Sequence, residues 1–80
     1  MNKGGDRMYY EGFPSRLKHA RNRIGFTQRE VEKETGIKQP TLAKYEKGSL
    51  QPDIEKLGIL TDFYQVSADF LLGTNAKITK

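Results

Sequence analysis

Residues 27–48 decide the fold and have the sequence TQREVEKETGIKQPTLAKYEKG. Thr27 is a favoured N-cap, and with Glu30 it forms the capping-box pattern that begins a helix. Gly36 tolerates the left-handed conformation with which many helices end, so this first helix has only about two turns. The chain must then turn, and the segment is expected to hold two short helices.

The second helix of this segment is predicted to begin near Gln39. Pro40 suits the first turn of a helix, because an N–H there has no intrahelical partner in any case. Leu42 and Tyr45 are spaced to face inward. The outward face carries groups that form hydrogen bonds or are positively charged, namely Gln39, Thr41, Lys44 and Lys47.

This segment resembles the helix-turn-helix of the phage-repressor and Cro family, also called XRE-like regulators, through the elements T-Q-x-x-V, G-I, Q-x-T-L and Y-E-x-G. Further segments resemble the same family in the same order: SRLKHARNRIGF, PDIEKL and VSADFLLG. The resemblance implies an all-α fold, a five-helix repressor-like DNA-binding domain over residues 13–73 in which helices 2 and 3 form the helix-turn-helix.

Apolar residues at helical spacing predict the buried faces of the first and fourth helices. They are Phe13, Leu17, Ala20 and Ile24 in the first helix, and Ile54, Leu57, Leu60 and Phe63 in the fourth. Residues 1–12 are expected to form a flexible N-terminal arm and residues 74–80 a frayed tail. Tyr9 and Tyr10 would pack on the core, reach DNA or belong to that flexible arm, and the last alternative is favoured.

The composition leaves little for catalysis. The 80 residues include no Cys and a single His, so a thiolate metal site, a cysteine nucleophile and a histidine relay are not expected. We therefore expect no enzyme, no metal and no cofactor. The sequence has no apolar run of the roughly 18 residues that a membrane span needs, and its N-terminus lacks the apolar stretch of a signal peptide. A cytoplasmic protein without a membrane partner is the expectation.

Positive charge is concentrated in the half that contains the helix-turn-helix. Residues 16–47 carry nine Lys and Arg against four Glu, whereas residues 48–80 carry three Lys against four acidic residues. A solvated charged surface would explain the number of charges but not this asymmetry. The asymmetry is typical of a phosphate-binding surface.

The resemblance implies which residues contact DNA. Gln39, Thr41 and Lys44 match groove-facing positions, where Gln can pair with adenine, Lys with guanine and a Thr methyl with thymine. Pro40 would contribute apolar contact only, so that one base position is recognised by shape. The expected phosphate contacts are Gln28, Lys38, Lys47 and Ser49. The alternative is a solvated helix face.

Other positions bear on the helix packing. Arg21 and Glu46 match family positions that form an ion pair, the alternative being two independent solvated charges. Glu32 departs from the small residue that is usual in the family, so its carboxylate must reach solvent or accept hydrogen bonds. Gln65 stands where the family commonly has Gly or Asn, and it is predicted to adopt the left-handed conformation.

The last two helices carry more apolar residues than a small core needs, which predicts a symmetric contact between two copies. The expected interface residues are Ile59, Tyr64, Val66 and Phe70. One recognition helix covers only about half a turn of DNA, and the family solution is a dimer on a palindrome with half-sites ~34 Å apart.

The expected function is therefore that of a sequence-specific regulator of transcription that binds double-stranded DNA as a homodimer, with a repressor as the simplest form. It would occlude or contact the polymerase at a promoter. The alternative is a protein-interaction module, such as an antitoxin or coactivator of the same family, whose fourth and fifth helices bind a partner. Salt-sensitive binding of the chain to duplex DNA would separate these two alternatives.

Overall fold

The computed structural model describes residues 12–73, and within them all the regular structure is α-helical. The five helices are α1 (Phe13–Ile24), α2 (Gln28–Thr35), α3 (Gln39–Lys47), α4 (Ile54–Tyr64) and α5 (Ala68–Leu72). This confirms the predicted all-α fold with a helix-turn-helix formed by α2 and α3. The predicted arm up to residue 11, with Tyr9 and Tyr10, and the predicted tail at residues 74–80 lie outside the described residues. None of the helices in residues 12–73 is long and apolar enough to cross a membrane.

Three of these helices, α2, α4 and α5, begin at a residue whose side chain caps the first turn. The Thr27 hydroxyl accepts a hydrogen bond from the Glu30 N–H at 3.1 Å, and the Glu30 carboxylate accepts one from the Thr27 N–H at 2.8 Å. The predicted capping box is thus present. Asp53 and Ser67 cap α4 and α5 in the same way, each accepting from a backbone N–H in the first turn. These caps satisfy amides that would otherwise lack an intrahelical partner.

Two helix ends show how the chain reverses. Gly36 has φ 83° at the end of α2, where the left-handed conformation allows the short turn into α3. Gln65 has φ 60° at the end of α4, as predicted, and among the described residues it is the only one other than glycine with positive φ. Its side-chain amide donates to the Asp62 carbonyl at 2.9 Å, which offsets part of the strain.

The core lies between α1 and the other four helices. α1 packs against α3, α4 and α5, while α2 packs against α3 and α4. The buried side chains are Phe13, Leu17, Ala20, Val31, Ile37, Leu42, Tyr45, Leu60, Tyr64 and Leu71. Because α3 contacts both α1 and α2, its inner face is held by two helices while its outer face remains open.

Three residues differ from their predicted positions. Ile24 and Ile54 are not core residues, since their exposures are 36% and 87%. Each occupies a helix end, the last residue of α1 and the first of α4, where helical spacing no longer ensures contact with the core. Tyr64, predicted to lie at the dimer interface, is instead fully buried in the core one turn beyond Leu60, so its side chain offers no surface to a second copy. The other predicted interface residues, Ile59, Val66 and Phe70, are half-buried and pack against the core.

Glycine at position 58 gives a clean test of α4. A methyl group added at Gly58 meets no atom within 4 Å, and its backbone is helical. We expect Gly58→Ala to raise the free energy of unfolding by about 0.5–1 kcal/mol, because Gly is that much less favourable than Ala in a helix. Urea denaturation followed by circular dichroism measures this change.

Gly36→Ala is the matched control. Its methyl group also meets no atom within 4 Å, but φ is 83°. We expect a loss of about 1 kcal/mol from the left-handed conformation alone. Equal effects of the two substitutions would contradict the assigned helix end at Gly36.

Candidate nucleic-acid interface

The outer face of α3 is open to solvent at the positions predicted to contact bases. Pro40 and Lys44 are exposed, whereas Gln39 and Thr41 are half-buried. Leu42 and Tyr45 are buried, as predicted for the inner face. The structure therefore brings the four predicted base-contacting residues to one surface, and two of them, Gln39 and Thr41, are partly covered by the rest of the domain.

The predicted phosphate-contacting residues divide into two groups. Lys38, Lys47 and Ser49 are exposed at the two ends of α3, and the Ser49 N–H donates to the Lys44 carbonyl at 3.1 Å. Gln28 is half-buried at the start of α2 and its side chain lies between other side chains of the domain. Lys47 is thus available for phosphates and Lys38 lies exposed beside Glu32, whereas the Gln28 side chain already makes two hydrogen bonds within the domain.

An ion pair fixes α3 against α1. Arg21 donates through Nε to Glu46 Oε2 at 2.7 Å and through Nη2 to Glu46 Oε1 at 2.9 Å. The side chains are only 11% and 4% exposed, and the hydrogen bond to Glu46 raises the pKa of Arg21. A third bond runs from Arg21 Nη1 to the Phe26 carbonyl at 2.8 Å. The predicted pair is present, and it also holds the loop that enters α2.

Two glutamines extend this pair to the start of α3. Gln28 donates to Glu46 Oε1 at 3.0 Å and accepts, at 2.8 Å, a hydrogen bond from the side-chain amide of Gln39. We name the connected side chains of Arg21, Glu46, Gln28 and Gln39 the polar chain. Sequence analysis missed the contact between the glutamines, because nothing in the spacing of positions 28 and 39 indicates that their side chains meet.

The polar chain leaves part of Gln39 available. A primary amide has two N–H donors and one carbonyl acceptor, and the bond to Gln28 uses a single N–H. The other N–H and the carbonyl oxygen remain, which is the pair of groups that hydrogen-bonds an adenine edge in the major groove. The polar chain therefore holds the Gln39 side chain in place and leaves these two groups unused.

Glu32 contacts the first turn of α3 from α2. Its Oε1 accepts a hydrogen bond from the Gln39 backbone N–H at 2.8 Å, and its Oε2 lies 3.9 Å from Lys38 Nζ. The expectation that this carboxylate reaches solvent or accepts hydrogen bonds is confirmed. Its side chain is 34% exposed, so both partners and solvent share its charge.

Tyr64 lies beneath the polar chain. Its hydroxyl is buried and has no hydrogen-bond partner among residues 12–73. Burial, and secondly the charge of Glu46, raise the pKa of Tyr64 well above its usual range. The phenol stays neutral at ordinary pH, so it adds no competing charge next to Arg21 and Glu46.

A metal centre is not evident in the part of the chain that the structure describes, which holds no cluster of three or more His, Cys, Asp or Glu side chains suited to a metal ion. The chemistry available at this surface is hydrogen bonding, positive charge and apolar contact. These are the interactions with which proteins contact DNA bases and phosphates.

Comparison with known proteins gives a match over most of the described chain. A family model described as Helix-turn-helix matches residues 17–71. The HTH-type transcriptional regulator ImmR of Bacillus subtilis (strain 168) is 41% identical over 58 residues, which is 72% of this chain and 46% of ImmR.

Two further relatives come from the same organism. The SPbeta prophage-derived uncharacterized HTH-type transcriptional regulator YonR is 39% identical over 81% of this chain and 61% of its own length. The uncharacterized HTH-type transcriptional regulator YqaE is 35% identical over 75% of this chain and 52% of its own. The chain thus spans about half to three fifths of the length of these relatives.

The ion pair is open to a double-mutant cycle. We expect Glu46→Ala to lower the free energy of unfolding by about 1–3 kcal/mol, because it leaves the Arg21 guanidinium with one partner and little solvent. The coupling between Arg21→Ala and Glu46→Ala should be of similar size. Arg23→Ala removes an exposed cation from the same helix and should change stability by less than about 0.5 kcal/mol. A coupling near zero would show two independent charges.

Proposed function

Since this chain belongs to the helix-turn-helix family, we propose that it is a transcriptional regulator that binds duplex DNA and recognises base sequence through α3. The observation that carries the proposal is the state of Gln39: its side chain is anchored by Gln28 while an amide N–H and a carbonyl oxygen remain free to pair with a base. A side chain held in position before binding loses less conformational entropy when it pairs.

Each residue of the outer face has a chemical role in this proposal. Gln39 pairs with adenine, and Lys44 donates to guanine O6 and N7. Thr41 offers a methyl group and a hydroxyl, and Pro40 offers apolar contact without a hydrogen bond. Lys38, Lys47 and Ser49 contact the phosphates on either side.

Gln28 can still contact a DNA phosphate, because of its position at the start of α2 and not through its side-chain carbonyl. It is the first residue of α2, where backbone N–H groups point out of the helix and favour anions. Its side-chain oxygen is held by Gln39, but its amide has a second N–H that can donate. Gln28 thus joins the phosphate contact to the base contact.

We further propose that two copies bind one palindromic site and repress transcription by occluding the polymerase. One recognition helix covers about half a turn of DNA, which is too few base pairs for useful specificity. A two-fold axis doubles the number of base pairs contacted, because the same set of contacts is used twice. The uneven charge of the chain supports contact with DNA through α2 and α3 only, with the acidic half turned away.

We propose that the second copy binds at the start of α4. Ile54 is 87% exposed and Leu50 is 44% exposed, and both follow α3 directly in the chain. Ile54 also lines an open cleft of about 330 Å³, together with Phe13, Gln51, Pro52, Leu57 and Leu72. We name Leu50, Ile54 and this cleft the α4 apolar face. Asp53 and Glu55 flank Ile54, so a DNA backbone is a poor occupant and a second copy is the one we propose.

Selection of bound sequences from a random duplex pool tests the function directly, and a palindromic consensus is expected. Gln39→Ala or Lys44→Ala should then each weaken the binding free energy for the selected site by about 1–3 kcal/mol. Each should also relax the base preference at one symmetric position of each half-site. Gln28→Ala should relax the same position as Gln39→Ala, because it releases the Gln39 side chain.

Lys47→Ala is the control for phosphate contact. It should weaken binding to all sequences nearly uniformly and reduce the slope of log K against log salt by about 1 per half-site. Fluorescence anisotropy on the selected duplex and its one-base variants, across salt, measures all four substitutions. An unchanged ranking of sequences in Gln39→Ala and Lys44→Ala would show that α3 does not recognise bases.

Dimerisation is testable at the α4 apolar face. Ile54→Gln should weaken the binding of a second copy to the selected duplex about tenfold or more, since it removes a side chain whose burial is worth roughly 1.5–3 kcal/mol. Analytical ultracentrifugation with labelled DNA measures the stoichiometry. Ile24→Gln, at an exposed apolar residue of α1, is the matched control and should have no effect. A single copy on the selected duplex would contradict the dimer, and an effect of Ile24→Gln alone would contradict the chosen face.

A further inference from the structure

Glu32 caps α3 from a different helix. The residue at the N-cap position of α3 is Lys38, which makes no side-chain cap hydrogen bond. The Gln39 N–H donates instead to Glu32 Oε1 at 2.8 Å, across the turn from α2. Pro40 has no N–H to satisfy. The carboxylate of Glu32 therefore does for α3 what Thr27, Asp53 and Ser67 do for their own helices.

This cap holds the residue that is central to base recognition. Gln39 is fixed at two points, its backbone by Glu32 and its side chain by Gln28. With both points in place, the amide of Gln39 has a defined direction relative to α2. If the hydrogen bond from the Gln39 N–H to Glu32 were lost, the first turn of α3 would be free to move. The other end of α3 would still be held by Arg21 and Glu46.

The charge of Glu32 has a separate consequence. The N-terminus of a helix carries a partial positive charge and attracts phosphate groups without regard to sequence. At α3 this position is already occupied by a carboxylate, whose second oxygen lies 3.9 Å from Lys38 Nζ. The pair reduces the attraction that both the helix end and Lys38 exert on a DNA backbone.

From these contacts we propose that Glu32 is a positioning residue that raises sequence selectivity. It holds Gln39 for base recognition, and it weakens, without abolishing, the attraction of the α3 N-terminus and of Lys38 for phosphates in any sequence. This inference rests on the proposed function, because it concerns how α3 discriminates among duplexes. It assigns to a residue on α2 a share of the selectivity that the outer face of α3 would otherwise carry alone.

Two substitutions separate the cap from the charge. Glu32→Ala removes both, whereas Glu32→Gln keeps a side-chain oxygen that can accept from the Gln39 N–H and removes only the charge. Glu34→Ala and Glu34→Gln make the same changes at an exposed carboxylate of the same helix and serve as matched controls. Binding is measured by fluorescence anisotropy on the duplex selected by the wild-type chain and on a random duplex of equal length, across salt.

We expect Glu32→Ala to tighten binding to random duplex about threefold more than Glu34→Ala does, and to steepen its salt slope by about 1 per half-site. The ratio of selected to random affinity should fall by about tenfold. Glu32→Gln should tighten random binding equally but recover most of the affinity for the selected duplex. Amide hydrogen exchange without DNA should show the Gln39 N–H unprotected in Glu32→Ala and protected in Glu32→Gln.

The outcomes are distinguishable. If the wild-type chain ranks sequences but the Glu32 variants match the Glu34 variants in ratio and salt slope, the role of Glu32 is overturned while the proposed function stands. If the wild-type chain ranks no sequences, the proposed function fails and selectivity cannot be assigned to Glu32. An unprotected Gln39 N–H in the wild-type chain would overturn the cap itself.

Discussion

Glu46 can be buried at the end of α3 only because Arg21 meets its charge with two parallel hydrogen bonds. An unpaired carboxylate with 4% exposure would cost several kcal/mol, so the two residues fix each other's helices. A third donor of Arg21, on Nη1, binds the Phe26 carbonyl, and Gln28 donates to one of the Glu46 oxygens. One guanidinium thus fixes the relative position of α1, α2 and α3, and the geometry of the proposed DNA-contacting surface depends on this pair.

The rest of the site depends on polar contacts more than on the size of the core. A domain this small has only a few kcal/mol of net stability, and the ten apolar residues that are buried within residues 12–73 do not reach the outer face of α3. Directional hydrogen bonds at both ends of α3 supply what nondirectional burial cannot, namely fixed angles for particular side chains. The Glu32 carboxylate at one end and the Glu46 carboxylate at the other act on the same short helix. Both acidic groups come from a segment whose net charge is positive, which shows that local placement matters more than overall charge.

Features that depend on neighbouring residues in the chain could be predicted from sequence. The Thr27 capping box, the end of α2 at Gly36 and the left-handed Gln65 all follow from local chemistry and are present. Features that depend on how helices meet could not be predicted. Spacing alone did not place Tyr64 in the core or Ile54 in solvent, since both lie at helix ends where small differences in direction decide burial. The partners of Gln28 required the crossing of α2 and α3, whereas the resemblance supplied the pair of Arg21 and Glu46.

The polar chain also constrains how this surface can change over evolution or by engineering. Pro40 and Lys44 are exposed and do not belong to the polar chain, so each can be replaced with little effect on the rest of the domain. Gln39 differs, because replacing it leaves the Gln28 side-chain carbonyl without its hydrogen-bond donor. Since Gln28 also donates to Glu46, the surroundings of Glu46 change as well. Positions 28 and 39 should therefore vary as a matched pair among relatives, and under the proposed function a change of base preference is easiest at positions 40 and 44.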